Sequence, residues 1–80
     1  MEIKLRGWIA RDHWTDGDPE IGGVPMGSLW LYAERPRRDS EGFGCWWGDE
    51  IVQLDRELFP ELSHDDEPIE AEILVIPKNQ

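Results

Sequence analysis

Eighty residues with 18 acidic side chains against 8 lysines and arginines, a net charge of −10, make one small acidic domain. A surface of that sign repels duplex DNA and anionic lipid, because nucleic-acid binders draw their affinity from cations that displace phosphate counterions, and it suits a basic protein partner better. The single cysteine excludes an internal disulfide, and no apolar run approaches the roughly 20 residues of a membrane-spanning helix, so a reducing, cytoplasmic setting away from membranes is expected.

The charge is uneven. Residues 1–40 hold seven acids and six bases, whereas residues 41–80 hold eleven acids and two bases. A chain this short buries only about 60 to 65% of its unfolded surface. Without disulfides to supplement so small a core, self-association into a homo-oligomer is expected. Five tryptophans (Trp8, Trp14, Trp30, Trp46, Trp47) are too many for one thin sheet to hide, which points to a shared surface or a ligand site.

The chain reads as strands separated by turns. From Glu2 to Asp12, Ile3, Leu5, Gly7 and Ile9 alternate with Lys4, Arg6, Trp8 and Ala10, the two-residue period of a two-faced strand. Ile3, Leu5 and Ile9 are expected to line the core, which sets Trp8 on the opposite face. Residues 13–27 (HWTDGDPEIGGVPMG) carry four glycines and two prolines and read as a loop. Trp14, Ile21, Val24 and Met26 have no use in a solvated linker, so this loop is expected to fold down as a lid. Ser28 to Glu34 (SLWLYAE) alternates again and should pair antiparallel with the first strand. With Leu29 and Leu31 in the core, Trp30 and Tyr32 join Trp8 as an aromatic platform on the far face. Pro36 ends this strand amid Arg35, Arg37 and Arg38, the only basic cluster of the chain.

Asp39 to Gly42 reads as a turn leading into Gly42 to Gly48 (GFGCWWG), an aromatic corner. Adjacent tryptophans in extended chain point to opposite faces, so one of Trp46 and Trp47 can enter a core while the other faces a groove, a ligand or a second subunit. Glu50 to Asp55 is a third strand, with Val52 and Leu54 toward the core and the second strand as its partner. Asp55 caps a single helical turn over Arg56 to Leu58 that Pro60 stops, and Leu58, Phe59 and Leu62 are expected to plug the open end of the sheet. After the acidic connector Ser63 to Glu67, Pro68 opens the last strand, Ile69 to Ile76. The expected fold class is mostly β: a single domain over 1–80, a four-stranded antiparallel meander or small half-barrel with one short helical turn.

Four blocks, GWIARD at Gly7 to Asp12, SLWLYAERP at Ser28 to Pro36, LDRELFPEL at Leu54 to Leu62 and DEPIE at Asp66 to Glu70, cover a little over a third of the chain. Together the chain resembles a group of small uncharacterised proteins carried by Bacteroidetes-type bacteria, their phages and prophages. The resemblance brings no catalytic or binding residues. What it implies is a mobile-element protein that neutralises a host system.

Little in the chain points to catalysis or metal. Cys45, His13 and His64 lack the short spacing of a zinc site, and the calcium-loop imitation of Asp16, Asp18 and Glu20 fails where Ile21 and Gly27 stand for the required glycine and glutamate. Cys45 beside Trp46 is expected to be a small buried hydrophobe rather than a nucleophile. Gly22-Gly23 lacks the lysine and the helix of a phosphate loop. No metal, no cofactor and no enzymatic activity are expected.

What remains is aromatic plus arginine. Trp46 and Trp47 can stack a planar base, Arg35, Arg37 and Arg38 can take phosphates, and Trp14 can close the lid, with Trp8, Trp30 and Tyr32 as a platform or interface. The reading is a binding protein for a small planar anionic ligand, in a phage setting a sponge that sequesters a nucleotide signal of host immunity. One alternative is an acidic inhibitor that imitates nucleic acid toward a basic host protein through Asp65, Asp66, Glu67, Glu70 and Glu72. Another is a small structural oligomerisation domain.

Overall fold

A computed structural model describes residues 2–38 and 45–77. The alternating segments form strands as their period requires: β1 (Ile3–Arg11), β4 (Leu29–Tyr32), β7 (Glu50–Leu54) and β8 (Ile69–Val75) make one four-stranded antiparallel sheet in the order β7-β4-β1-β8. The first three lie side by side in chain order. The last returns along the other edge, beside β1, with Ile3 opposite Val75 and Ile9 opposite Ile69. Between Leu31 and Tyr32 the register of β4 against β7 slips, so Tyr32 meets Glu50 and Ile51 is the extra, bulged residue.

The loop of residues 13–27 is more regular than its composition suggests. It holds a small hairpin, β2 (Glu20–Ile21) and β3 (Val24–Pro25), turned by Gly22 and Gly23 at φ 61° and 81°. Two successive left-handed residues make the hairpin turn whose twist matches that of the strands, and glycine adopts them without strain. Asp18 closes the preceding turn by accepting from the Thr15 amide and hydroxyl, each at 3.0 Å, and pairs with Arg56 at 2.9 Å. Arg56 also donates to the Met26 carbonyl and the Ser28 hydroxyl, so one guanidinium fastens the loop to the body.

The helical turn expected after Asp55 appears as two tight turns. Leu58 N–H donates to the Asp55 carbonyl at 3.1 Å and Leu62 N–H to that of Phe59 at 2.9 Å, while the Asp55 carboxylate accepts from Glu57 N–H as the sequence suggests for a capping residue. Phe59, just before Pro60, sits at φ 50°, a left-handed conformation rare for an aromatic residue. Of the three residues expected to plug the sheet, only Leu62 is buried; Leu58 and Phe59 are exposed.

Both faces of the sheet carry apolar clusters. On one, Ile9, Leu29, Leu31 and Leu62 pack with Leu54, Ala71 and Ile73; on the other, Ala10, Tyr32 and Trp46 pack with Trp8 and Trp30. The aromatic platform therefore lies opposite the aliphatic core, as the strand register requires. A two-stranded arm, β5 (Arg37–Arg38) with β6 (Trp46–Trp47), folds over that platform. The expected turn at Asp39 to Gly42, together with Phe43 and Gly44 of the aromatic corner, lies outside the described residues. The aliphatic face is covered only at one end. Ile3, Leu5, Val52, Ile69 and Val75 remain 46, 48, 48, 47 and 41% exposed, which corrects the placing of Ile3, Leu5 and Val52 in a closed core. Principal extents of 42 × 29 × 19 Å describe a slab.

Candidate functional site

Arg11 continues the phase of Ile9 onto the aliphatic face, where it is buried. Its Nε donates to the Leu62 carbonyl at 2.6 Å, Nη1 to Gly27 at 2.9 Å, and Nη2 to Leu58 at 2.9 Å and Phe59 at 3.2 Å. The planar fork thereby ties the turn at 58–62 and the end of the 13–27 loop to the end of β1. Burial, and then the neighbouring Arg56, lower its pKa from the ordinary arginine value.

Opposite, Trp46 covers the aromatic platform. It is 6% exposed, its indole N–H donates to the Arg11 carbonyl at 3.0 Å, and its amide donates to Asp12 Oδ1 at 3.2 Å. Arg38 lies over its ring, 4.3 Å from guanidinium carbon to centroid, and donates to the carbonyls of His64 and Asp65 at 3.1 and 3.2 Å. Arg35 lies over Trp8 at 5.1 Å and pairs with Glu67 at 2.9 Å. These two arginines thus hold the arm and the 63–67 connector together.

Arg37 and Trp47, opposite one another across the arm, face outward, Trp47 at 65% exposure. Trp14 lies elsewhere. It donates to the Pro19 carbonyl at 3.2 Å and lines a cleft of about 80 Å³ with Met26, Leu62 and His64. Nucleotide-sized ligands ask for about 300 Å³ or more, so this cleft is too small for one. The structure brings Arg37, Arg38, Trp46 and Trp47 onto one arm, with Arg35 just before it over Trp8, and leaves Arg37 and Trp47 as the outward pair. Cys45, expected inside, is exposed. Among the described residues no three His, Cys, Asp or Glu side chains gather as a metal ion would need.

Under the arm sits Tyr32, fully buried, whose hydroxyl has no hydrogen-bond partner among the described residues. Burial, with Asp12, Glu50 and Cys45 nearby, pushes its pKa well above the ordinary tyrosine value, so it is a neutral phenol at any physiological pH. Burial likewise raises Asp12, against the pull of the Trp46 amide; Glu50 and Asp18 add to the rise and the Trp30 side chain opposes it. Asp18 is lowered, first by the Thr15 amide and then by Arg56.

These opposite shifts predict opposite slopes of stability with pH. A carboxylate raised in the fold destabilises it progressively as pH climbs from the ordinary value of about 3.9 through the folded one. One lowered in the fold adds stability above that ordinary value and loses it as pH falls through the folded one. Urea midpoints measured from acid to neutral pH should therefore show Asp12→Asn gaining on the wild type as pH rises, and Asp18→Asn falling behind it.

Sequence reasoning missed Arg11 and the open aliphatic face. The signal for the first was an arginine in phase with Ile3, Leu5 and Ile9. Comparison with family models, with curated proteins and with solved structures finds no match to this chain. Among the described residues no helix is long and apolar enough to cross a membrane.

Proposed function

We propose that the chain is a non-enzymatic binding protein that acts by contact with another protein, made through the open aliphatic face of its sheet. One observation carries this reading: Ile3, Leu5, Val52, Ile69 and Val75 lie half-exposed on the same face. Half-exposed apolar side chains gathered on one face mark an interaction surface on a small soluble domain. Evolutionary solubility alone would favour polar, β-branched residues at such positions.

The acidic stretch supports a nucleic-acid mimic less well. Glu67 pairs with Arg35, Glu70 with Arg6 at 3.7 Å, and Glu72 with Lys4 at 3.7 Å, while Asp66 accepts from the Ser63 amide at 2.8 Å. Exposed pairs of this kind contribute little stability, but they dilute a continuous negative surface.

The reading is tested with a neutral apolar dye, Nile red, titrated into the native chain at about 0.1 µM, where weak complexes with micromolar dissociation constants are dissociated. Saturable binding is expected. The variant Ile3→Thr/Leu5→Thr/Val52→Thr keeps β-compatible side chains and should retain strand circular dichroism while losing the dye. A monomeric native chain that ignores the dye would overturn the reading.

The outward pair Arg37 and Trp47 supports a second reading, a small planar anion stacked on the indole with its charge on the guanidinium. Tryptophan fluorescence against mono-, di- and cyclic nucleotides decides it. A response abolished by Trp47→Ala is expected on this reading, and a flat titration across the panel excludes it.

A further inference from the structure

We infer that the partner of the open face is a second copy of this chain, laid sheet against sheet so that two four-stranded sheets close into a β-sandwich. This rests on the reading of that face as a protein-contact surface. The chain exposes 5944 Å², whereas a compact monomer of its mass exposes about 5,000 Å². The excess, roughly 900 Å², is of the order of the about 800 Å² that one partner buries in a standard interface, and the open face shares it with exposed side chains elsewhere such as Trp47, Val24, Leu58 and Phe59.

Shape agrees. A Cα radius of gyration of 13.8 Å exceeds the about 12 Å of a compact domain of this length. The smallest extent is 19 Å, and the sheet carries the aromatic arm on one side. Stacking a second sheet about 10 Å away on the open part of the aliphatic side, beyond the turn that carries Leu62, builds the thickness of an ordinary sandwich core.

Around Gly7 the open part of the face is low. A Cβ at Gly7 would lie 2.8 Å from Ile73 Cδ1 and 3.3 Å from Leu31 Cδ1, so these two side chains lie over the glycine instead of standing up from the sheet. A low aliphatic stretch of this kind lets a second sheet approach closely. Among the described residues the strand positions of this face present no tryptophan, tyrosine or exposed arginine, in keeping with the more apolar interfaces of homodimers.

Charge decides between ways of pairing. A chain of net charge −10 repels its copy, and only a contact free of carboxylates overcomes that repulsion. Glu70 and Glu72 alternate with Ile69, Ala71 and Ile73, and so point to the opposite side with their partners Arg6 and Lys4. The β1, β4 and β8 positions of the aliphatic face bring only Ile, Leu, Val, Ala and Gly to the contact, with Arg11 buried at its covered end.

Sedimentation equilibrium over about 1 to 100 µM tests the pairing. The wild type is expected to reach the mass of two chains with a micromolar dissociation constant. Leu5→Glu and, separately, Ile69→Thr should weaken it at least tenfold with strand circular dichroism unchanged, and Trp47→Ala should leave it as it was. If Leu5→Glu fails to fold, the milder Ile69→Thr carries the comparison. A wild type that stays monomeric at about 100 µM, or a dimer indifferent to both face substitutions, overturns the inference. Nile red separates the two levels: a monomer that binds the dye, with binding lost in Leu5→Glu, leaves the contact surface standing with a dissimilar protein as its partner, whereas a monomer that ignores the dye removes both.

Discussion

Arg11→Ala is expected to lower stability by about 4 kcal/mol, a third or more of the total. The total stability of 80 residues is on the order of 4 to 12 kcal/mol. Two of the carbonyls that Arg11 holds, those of Leu62 and Gly27, are engaged in buried hydrogen bonds, and those of Leu58 and Phe59 in partly buried ones. Each buried acceptor left without a donor costs about 1 to 3 kcal/mol. Water can reach the partly buried pair, so the sum is about 4 kcal/mol. The loss also releases Leu62, the one residue of its turn that reaches the aliphatic cluster. Arg11→Lys should retain about half of this stability, because an ammonium reaches one or two carbonyls where the planar fork reaches four. Urea unfolding followed by tryptophan emission measures both, and a midpoint for Arg11→Ala equivalent to a loss under about 1 kcal/mol would show that water replaces the guanidinium freely.

Alternation made the sheet legible. The two-residue period of β1 and β4 assigns Ile9, Leu29 and Leu31 to one side and Trp8, Trp30 and Tyr32 to the other, and the structure keeps that division. The period is silent about what lies above a face. Ile3 and Leu5 have the same pattern as Ile9, yet only Ile9 falls beneath the turn that carries Leu62. The partners of the arginines were equally beyond local reading. Arg38 meets carbonyls 26 and 27 residues away and Arg11 meets one 51 away, contacts that depend on how turns dock rather than on neighbouring residues. Basic side chains that look available for phosphate thus hold the aromatic arm against the connector, and Arg37 and Trp47 are what the arm leaves outward.

The tryptophan pair of that arm yields the sharpest contrast in the molecule. Trp46→Ala is expected to lower stability by about 3 to 5 kcal/mol, the range for truncating a large buried aromatic. It removes the cover from Tyr32 and Ala10, the indole bond to the Arg11 carbonyl and the ring beneath Arg38. Trp46→Phe keeps most of the apolar contact and loses the indole bond, so about 1 to 2 kcal/mol is expected. Trp47→Ala, at a position 65% exposed, should stay within about 0.5 kcal/mol of wild type. Fluorescence gives an independent reading. Trp47→Ala should remove the reddest and most iodide-accessible emission, while Trp46→Phe should remove blue-shifted, protected emission. The two residues are adjacent and chemically identical, so composition and propensity cancel from the comparison and only the side to which each points remains. Were the large loss to fall on Trp47, the arm would have to dock by its other surface, and the Arg38 stack and the bond to the Arg11 carbonyl would both have to break.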